Sequence, residues 1–93
     1  MSAERTVEIV NPLGLHARPA AEFVKIAATF QSEILVEKDG VAVNGKSIMG
    51  VMTLAAECGS KITIRTDGDD ASDALAALEA LVRNGFNEQE GAE

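Results

Sequence analysis

Apolar residues recur along this chain at two different spacings, and each spacing predicts one kind of secondary structure. Alternation at every second residue predicts strands at residues 6–10 and 60–66. Two further runs rich in branched residues, 33–38 and 41–43, flank Asp39-Gly40, a dipeptide typical of the tight turn of an antiparallel hairpin. The pattern therefore predicts four strands, with the middle two joined as a hairpin.

Spacings of three and four residues predict helices at about 17–29 and 71–84, and a short helix follows Ser47. Each long helix has one apolar stripe that must face a core. The stripe residues are Ala20, Phe23, Val24 and Ala27 in the first helix and Ala71, Ala74, Leu75, Leu78, Leu81 and Val82 in the last. The turn 67–70 precedes the last helix, and we expect its aspartates to cap that helix.

The order of elements is β-α-β-β-α-β-α, which predicts an α+β fold. Because every amphipathic element must bury its apolar side, we expect an open-faced β-sandwich, with a four-stranded antiparallel sheet covered on one face by three helices. A chain of 93 residues is long enough for one core. We predict a single domain over 1–93, with an ordered core at about 5–86 and an acidic C-terminal tail at 87–93.

Composition and charge exclude several classes of protein. The net charge of −7 disfavours a nucleic-acid partner, and three Phe without Trp or Tyr offer little surface for stacking bases. No apolar run approaches the roughly 20 residues of a membrane-spanning helix. Residues 1–6 lack the apolar centre of a signal peptide. We expect a cytoplasmic protein with no nucleic-acid partner and no membrane insertion.

Cysteine and histidine are too few for a disulfide or a metal site. One Cys cannot form an internal disulfide, and with a single His it supplies no set of metal ligands. Cys58 has no neighbouring cation or base, so we interpret it as a small packed residue. The acidic cluster at 67–73 lacks the spacing of a calcium-binding loop. The sequence predicts no metal and no cofactor.

The stretch Gly14-Leu15-His16-Ala17-Arg18-Pro19-Ala20 combines the features of an anion site with the only histidine of the chain. Proline is tolerated in the first turn of a helix, so Pro19 marks a helix start, where free N–H groups favour an anion. Arg18 adds a permanent cation whose fork fits phosphate oxygens. A neutral imidazole beside these groups can accept a phosphoryl group and pass it on. Two simpler interpretations of His16 remain open here: a solvated surface residue, or a helix cap.

The same stretch closely resembles the active-site signature of HPr, the histidine-containing phosphocarrier of the bacterial phosphoenolpyruvate:sugar phosphotransferase system. HPr proteins share the predicted order of elements, and the likeness spans about 7–86. The resemblance implies that Enzyme I phosphorylates His16 and that His16 donates to IIA domains of sugar permeases. Arg18 would balance the charge, and the N–H groups of Ala17 and Arg18 would hold the phosphoryl oxygens. A carrier of this kind is expected to be a monomer with a phosphohistidine intermediate rather than a turnover enzyme.

The short helix after Ser47 carries more apolar groups than one inward face can bury. At about 100° per residue, Val51, Leu54 and Ala55 fall on one side, which we assign to the core. The other side is formed by Ile48, Met49 and Met52. This set is either further core or an exposed contact patch, and the resemblance to HPr favours a patch that docks partner proteins.

Ser47 stands where a helix N-cap is expected, and capping alone would explain it. However, Lys46-Ser47-Ile48-Met49-Gly50 resembles the regulatory serine segment of HPr from Gram-positive and some other bacteria. In those proteins a dedicated HPr kinase/phosphorylase modifies the serine. The resemblance implies that phosphate on Ser47 adds nearly two negative charges beside the patch and weakens partner binding.

Two other functions stay open at this point. A paralogue serving a nitrogen-related or regulatory phosphorelay would use the same histidine chemistry, although the segment 46–50 favours the sugar system. A module of a different class would bind a metabolite or a protein without covalent chemistry, and it would carry no phosphohistidine. The sequence leaves the sugars, the accepting IIA domains and any further regulators undetermined.

Overall fold

The computed structural model describes residues 1–88 and contains the predicted β-α-β-β-α-β-α order. The strands are β1 (Ser2–Glu8), β2 (Glu33–Lys38), β3 (Val41–Asn44) and β4 (Lys61–Asp67). The helices are α1 (Ala17–Ala27), α2 (Ile48–Thr53) and α3 (Ala71–Arg83), and a short 3₁₀ turn (Gly85–Asn87) follows α3. None of the described helices is both long enough and apolar enough to cross a membrane.

The four strands form one antiparallel sheet in the order β1-β4-β2-β3, which confirms the predicted fold class. In β4 the side chains of Ile62 and Ile64 are buried, whereas Lys61 and Arg65 are exposed. This alternation leaves one face of the sheet for the helices and the other for solvent.

The helices cover the buried face with the predicted stripes. All six stripe residues of α3 are buried, and in α1 Phe23 is 1% exposed while Val24 is partly buried. Burial of a Phe or Leu side chain contributes about 1.5–3 kcal/mol, so the contact between this layer and the sheet stabilises the fold. It also fixes α1 against the sheet and with it the position of the residues before α1.

The first strand begins earlier than alternation predicted. It spans Ser2–Glu8 rather than 6–10, because the backbone of Ser2 pairs with that of Asp67 at the far end of β4. Polar side chains at an exposed edge do not reveal such pairing. Ile9 follows the strand and is nevertheless fully buried.

Three side-chain predictions were wrong. Ala55 is exposed rather than part of the core, because the chain leaves the helical conformation after Leu54 and takes a positive φ of 51° at Ala55. Cys58 is exposed rather than packed. Asp70 is the N-cap residue of α3 but makes no side-chain cap hydrogen bond, since its carboxylate accepts hydrogen bonds from Ser32 and Gln31 instead.

The predicted acidic tail is only partly described. Asn87 belongs to the C-terminal turn, and the Glu88 side chain contacts His16, so these two residues are ordered parts of the molecule. Residues 89–93 of the predicted tail lie outside the described residues.

Candidate functional site

The loop before α1 is held tightly against the segment that follows α2. The Leu15 N–H donates to the Ala56 carbonyl over 2.8 Å, and the Gly14 N–H donates to the Asn11 carbonyl over 3.1 Å. Gly14 has a φ of +70°, and a Cβ atom there would lie 2.4 Å from the Ala56 carbonyl oxygen. Glycine is therefore required at this position, and the close approach fixes where α1 begins.

His16 is the N-cap residue of α1, yet its ring does not cap the helix. Its backbone is extended (φ −80°, ψ −170°), and its carbonyl accepts the first helical hydrogen bond, from the Ala20 N–H, over 3.0 Å. The side chain makes no cap hydrogen bond and is 36% exposed. The imidazole is thus held by the backbone at a helix start while remaining accessible.

Free donors and a cation adjoin this ring in sequence. Ala17 and Arg18 are the first two residues of α1, so their N–H groups have no partner within the helix, and Pro19 has no N–H to offer. The Arg18 side chain is exposed, and it forms no ion pair with any of residues 1–88. These groups suit a developing negative charge beside His16.

A carboxylate that the sequence did not single out completes the site. The Glu88 Oε2 atom lies 3.0 Å from the His16 Nε2 atom. The Asn11 Nδ2 group donates to Glu88 Oε1 over 3.1 Å and to the Gly14 carbonyl over 2.8 Å. Asn11 is 3% exposed, and its Oδ1 atom has no hydrogen-bond partner among the described residues.

The chain reaches His16 from α3 through an unusual turn. Gly85, Phe86 and Asn87 have consecutive positive φ values of 63°, 59° and 63°. The left-handed conformation costs a non-glycine residue roughly 1–2 kcal/mol. Two such residues, Phe86 and Asn87, occur here; the Phe86 ring is 2% exposed, and its burial contributes about 1.5–3 kcal/mol, which offsets part of this cost. Phe86 thereby anchors the turn that brings Glu88 to His16.

The second predicted region, around α2, has the local geometry expected of it. The Ser47 Oγ atom accepts from the Gly50 N–H over 3.0 Å, so Ser47 is the N-cap of α2 as predicted. Val51 and Leu54 are buried. The side chains of the proposed docking patch are exposed, by 43% for Ile48, 77% for Met49 and 40% for Met52.

Sequence reasoning missed two further exposed apolar side chains, Val10 at 47% and Leu13 at 75%. Both belong to the segment that leads from β1 to His16. The adjacent Asn11-Pro12 marked a loop but gave no signal that the apolar residues beside it face solvent. Within residues 1–88, no three His, Cys, Asp or Glu side chains are grouped so that they could hold a metal ion.

Residues 3–84 match the family model described as the PTS HPr component phosphorylation site. The phosphocarrier protein HPr of Treponema pallidum is 47% identical over 85 residues, which cover 91% of this chain and 97% of that protein. The HPr-like protein Crh of Halalkalibacterium halodurans is 53% identical over 79 residues, covering 85% of this chain and 94% of that protein.

Solved structures agree with these sequence matches. HPr-C-His from Thermoanaerobacter tengcongensis superposes with a TM-score of 0.90 at 48% identity, covering 94% of this chain and 98% of that chain. A structure described as an HPr dimer from the same organism superposes with a TM-score of 0.75 at 49% identity, covering 92% of this chain and 99% of that chain.

Proposed function

The chain belongs to the PTS HPr family of phosphocarrier proteins, and from this premise we propose that His16 is the residue that carries the phosphoryl group. His16 would accept it from phospho-Enzyme I, which is charged by phosphoenolpyruvate, and would donate it to IIA domains of sugar permeases. The observation that carries the proposal is the accessible imidazole at the first turn of α1, with the free N–H groups of Ala17 and Arg18 following it.

Each transfer exchanges one bond to phosphorus for another. A lone pair of the His16 ring attacks phosphorus, the bond between phosphorus and the donor breaks, and its electron pair returns to the donor. The Arg18 guanidinium and the helix N-terminus stabilise the negative charge on the phosphoryl oxygens during the transfer. Transfer to the IIA domain is the same exchange in the opposite sense, so the protein is unchanged after one cycle.

The test is phosphorylation with Enzyme I and radiolabelled phosphoenolpyruvate. The wild-type protein should become labelled with a phosphate that is labile in acid and stable in base, as expected of phosphohistidine. His16→Ala should remove the label entirely while leaving the circular dichroism spectrum unchanged. Label retained by His16→Ala would contradict the assignment, and an unlabelled wild type would favour a binding module without covalent chemistry.

We propose that partner proteins dock on Ile48, Met49 and Met52. These side chains are exposed, although the opposite face of the same helix is buried. Methionine side chains adapt to differently shaped surfaces, which suits a carrier that meets a donor and several acceptors. Met49→Asp should raise the KM for Enzyme I and for IIA domains without lowering the Tm, because Met49 is largely exposed. Thr53→Asp, at the exposed end of the same helix, is the charge control.

We also propose that Ser47 is a regulatory phosphorylation site for an HPr kinase/phosphorylase. Ser47 is partly exposed and immediately precedes Ile48 and Met49, so a phosphate there would add negative charge at the edge of the patch. A bifunctional HPr kinase with ATP should produce one phosphoserine in the wild type and none in Ser47→Ala. Absence of phosphoserine from the treated wild type would remove this part of the proposal.

We further propose that the protein serves the sugar branch of the phosphorelay, that it is located in the cytoplasm and that it is a monomer. β1 pairs with β4 of the same chain, so the sheet is complete without a second copy. Because one similar HPr structure is described as a dimer, the mass in solution should be measured by light scattering across a range of concentrations. Comparing transfer from sugar-type and nitrogen-type Enzyme I would distinguish the two branches of the phosphorelay.

A further inference from the structure

We propose that Asn11 is a positioning residue for phosphoryl transfer, because its side-chain amide fixes the Gly14 carbonyl and thereby the backbone of His16. The inference rests on the proposed phosphocarrier role of His16 and concerns a residue that the sequence analysis assigned to no site. It starts from two observations. The Asn11 Nδ2 group donates to the Gly14 carbonyl over 2.8 Å, and Asn11 is 3% exposed.

The peptide unit between Gly14 and Leu15 is held at both of its polar groups. Its N–H, which belongs to Leu15, donates to the Ala56 carbonyl over 2.8 Å. Its carbonyl, which belongs to Gly14, accepts from Asn11 Nδ2 over 2.8 Å and from the His16 N–H over 3.0 Å. The amide of Asn11 therefore orients the same oxygen atom that holds the His16 N–H.

Gly14 needs this support because glycine is conformationally permissive. Without a Cβ atom, it meets little steric resistance when an adjoining peptide unit rotates. His16 follows only two residues later, so such a rotation would change how the chain enters α1 and presents the ring. A displacement of about 1 Å in a reacting group can lower a rate constant about 100-fold.

The hydrogen bonds of Asn11 differ from those of an ordinary turn residue. Residues 11–14 form a turn, which the Gly14 N–H closes on the Asn11 carbonyl over 3.1 Å. An asparagine at the first position of a turn commonly accepts a backbone N–H with its side-chain oxygen. Here the buried Oδ1 atom has no partner among the described residues, and the amide donates instead.

The orientation of this amide follows from its partners. Nδ2 faces the Gly14 carbonyl and, over 3.1 Å, Glu88 Oε1, and both of these oxygens accept. Burial of the unpaired Oδ1 atom is unfavourable, so stability alone does not explain an asparagine at this position. A local cost in stability of this kind is typical of functional sites. Because Asn11 is buried, it acts on transfer through the loop rather than by contact with a partner protein.

Asn11→Ala tests the proposal, because it removes the donation to Gly14 together with the unpaired oxygen. The rate constant for transfer from phospho-Enzyme I should fall roughly 10- to 100-fold. The KM for Enzyme I should stay unchanged, since the residue is buried. The Tm should change little, because the two losses affect stability in opposite senses. Hydrogen exchange followed by NMR should show a less protected Leu15 amide.

The wild type provides a second measurement that needs no variant. The Nδ2 protons of Asn11 should exchange with solvent more slowly than those of Asn44, which is exposed. Equal exchange at the two side chains would show that the Asn11 amide is not held, and this would overturn the proposal.

Thr66→Val is the matched control. Thr66 is 1% exposed, and its Oγ1 atom donates to the Ala71 carbonyl over 2.8 Å, so this variant also loses a buried donation to the backbone. Thr66 pairs with Ala3 near the start of β1, whereas the loop of His16 follows the other end of that strand. The Tm of Thr66→Val should fall while its rate of transfer stays at the wild-type value.

Glu88→Ala separates the two donations of the Asn11 amide. It removes the acceptor Oε1 and keeps the donation to Gly14, so the Leu15 amide should remain as protected as in the wild type. If this variant releases the Leu15 amide as much as Asn11→Ala does, Asn11 acts through Glu88 and the proposal is wrong.

The remaining outcomes separate this inference from the proposed function. A lower Tm of Asn11→Ala with a wild-type rate constant would make the role of Asn11 purely structural. A rise in KM alone would assign the effect to partner binding, and it would also overturn the proposal. If wild-type His16 is never phosphorylated, the proposed function fails, and the exchange of the Leu15 amide still decides whether Asn11 holds the loop.

Discussion

The segments before and after α1 are each contacted by a carboxylate from a distant part of the chain, but the two carboxylates face different groups. Before α1, Glu88 accepts from Asn11 and contacts the His16 ring. Just beyond α1, Asp70 accepts from the N–H groups of Gln31 and Ser32, each over 2.9 Å, and from the Ser32 hydroxyl.

The difference lies in the groups that each carboxylate faces. Asp70 faces two backbone N–H groups and a hydroxyl, which have no further part to play once they are paired. Glu88 faces a titratable ring that remains 36% exposed at the opening of the site. A hydrogen-bonded carboxylate therefore ties down the backbone after the helix, whereas before the helix a carboxylate contacts an accessible imidazole ring. Substitutions at the two ends should separate into effects on transfer and effects on stability.

Apart from the complete loss expected of His16→Ala, the largest effect expected at the His16 end is that of Arg18→Ala. Loss of one charged donor from a developing oxyanion typically lowers a rate constant by about 100-fold or more. We expect a loss of this order in the rate of phosphoryl transfer, with the Tm within a degree or two of wild type because Arg18 is exposed. Lys25→Ala, an exposed cation in the last turn of the same helix, is the control. Equal rates for the two variants would show that the guanidinium has no part in transfer.

Gly14→Ala should damage both stability and transfer, since it disturbs the loop itself. The new Cβ would lie 2.4 Å from the Ala56 carbonyl oxygen at a φ of +70°. We expect a loss of about 3 kcal/mol in the free energy of unfolding, measured by urea denaturation. Gly40→Ala is the matched control: its φ is +83° but nothing lies within 4 Å, so about 1 kcal/mol is expected. Similar losses in the two variants would contradict the tight contact.

Asp70→Asn should reduce stability by several degrees in Tm and leave transfer unchanged. Hydrogen bonds from the Ser32 hydroxyl, and next from the Gln31 N–H, lower the pKa of Asp70 below its ordinary value of 3.8. A lowered pKa means that the folded state favours the ionised form, so this stabilisation is complete above pH 3.8 and is lost as the pH falls through the lower folded value.

The measurement is the Tm of wild type and Asp70→Asn between about pH 2 and pH 6. The difference should be constant at the upper end and should shrink in acid, when Asp70 of the wild type becomes protonated. Asp69→Asn, which changes the exposed neighbour, should match wild type throughout. A difference that stays the same at every pH would contradict the pairing of ionised Asp70 with Ser32 and Gln31.

Local patterns in the sequence were sufficient to predict the helices and strands and part of the candidate site. The alternation around Ile62 and Ile64 and the helical stripe of α3 reflect burial on one side, which repeats along a few residues. The start of α1 just before Pro19 and the cap at Ser47 depend on neighbours within three positions, so residue type alone predicted them.

Contacts between distant residues could not be predicted in this way. Glu88 and His16 are 72 positions apart, and Asp70 and Ser32 are 38 apart. Local capping rules assigned Asp70 to its own helix, whereas the folded chain offers it donors from a distant part of the sequence. The same rules gave no reason to separate Glu88 from the other acidic residues that follow Phe86.

The C-terminal turn places Glu88 beside His16, whereas Met1 lies elsewhere, and this difference matters when a tag or a dye is attached to the protein. The Met1 amino group lies 3.8 Å from Asp67, the last residue of β4. The other end of β4 follows Ser60, whose carbonyl accepts from the Ile9 N–H. A seven-residue strand spans roughly 20 Å, so a fusion at Met1 would leave the neighbourhood of His16 open. A fusion immediately after Glu88 would instead emerge beside the imidazole.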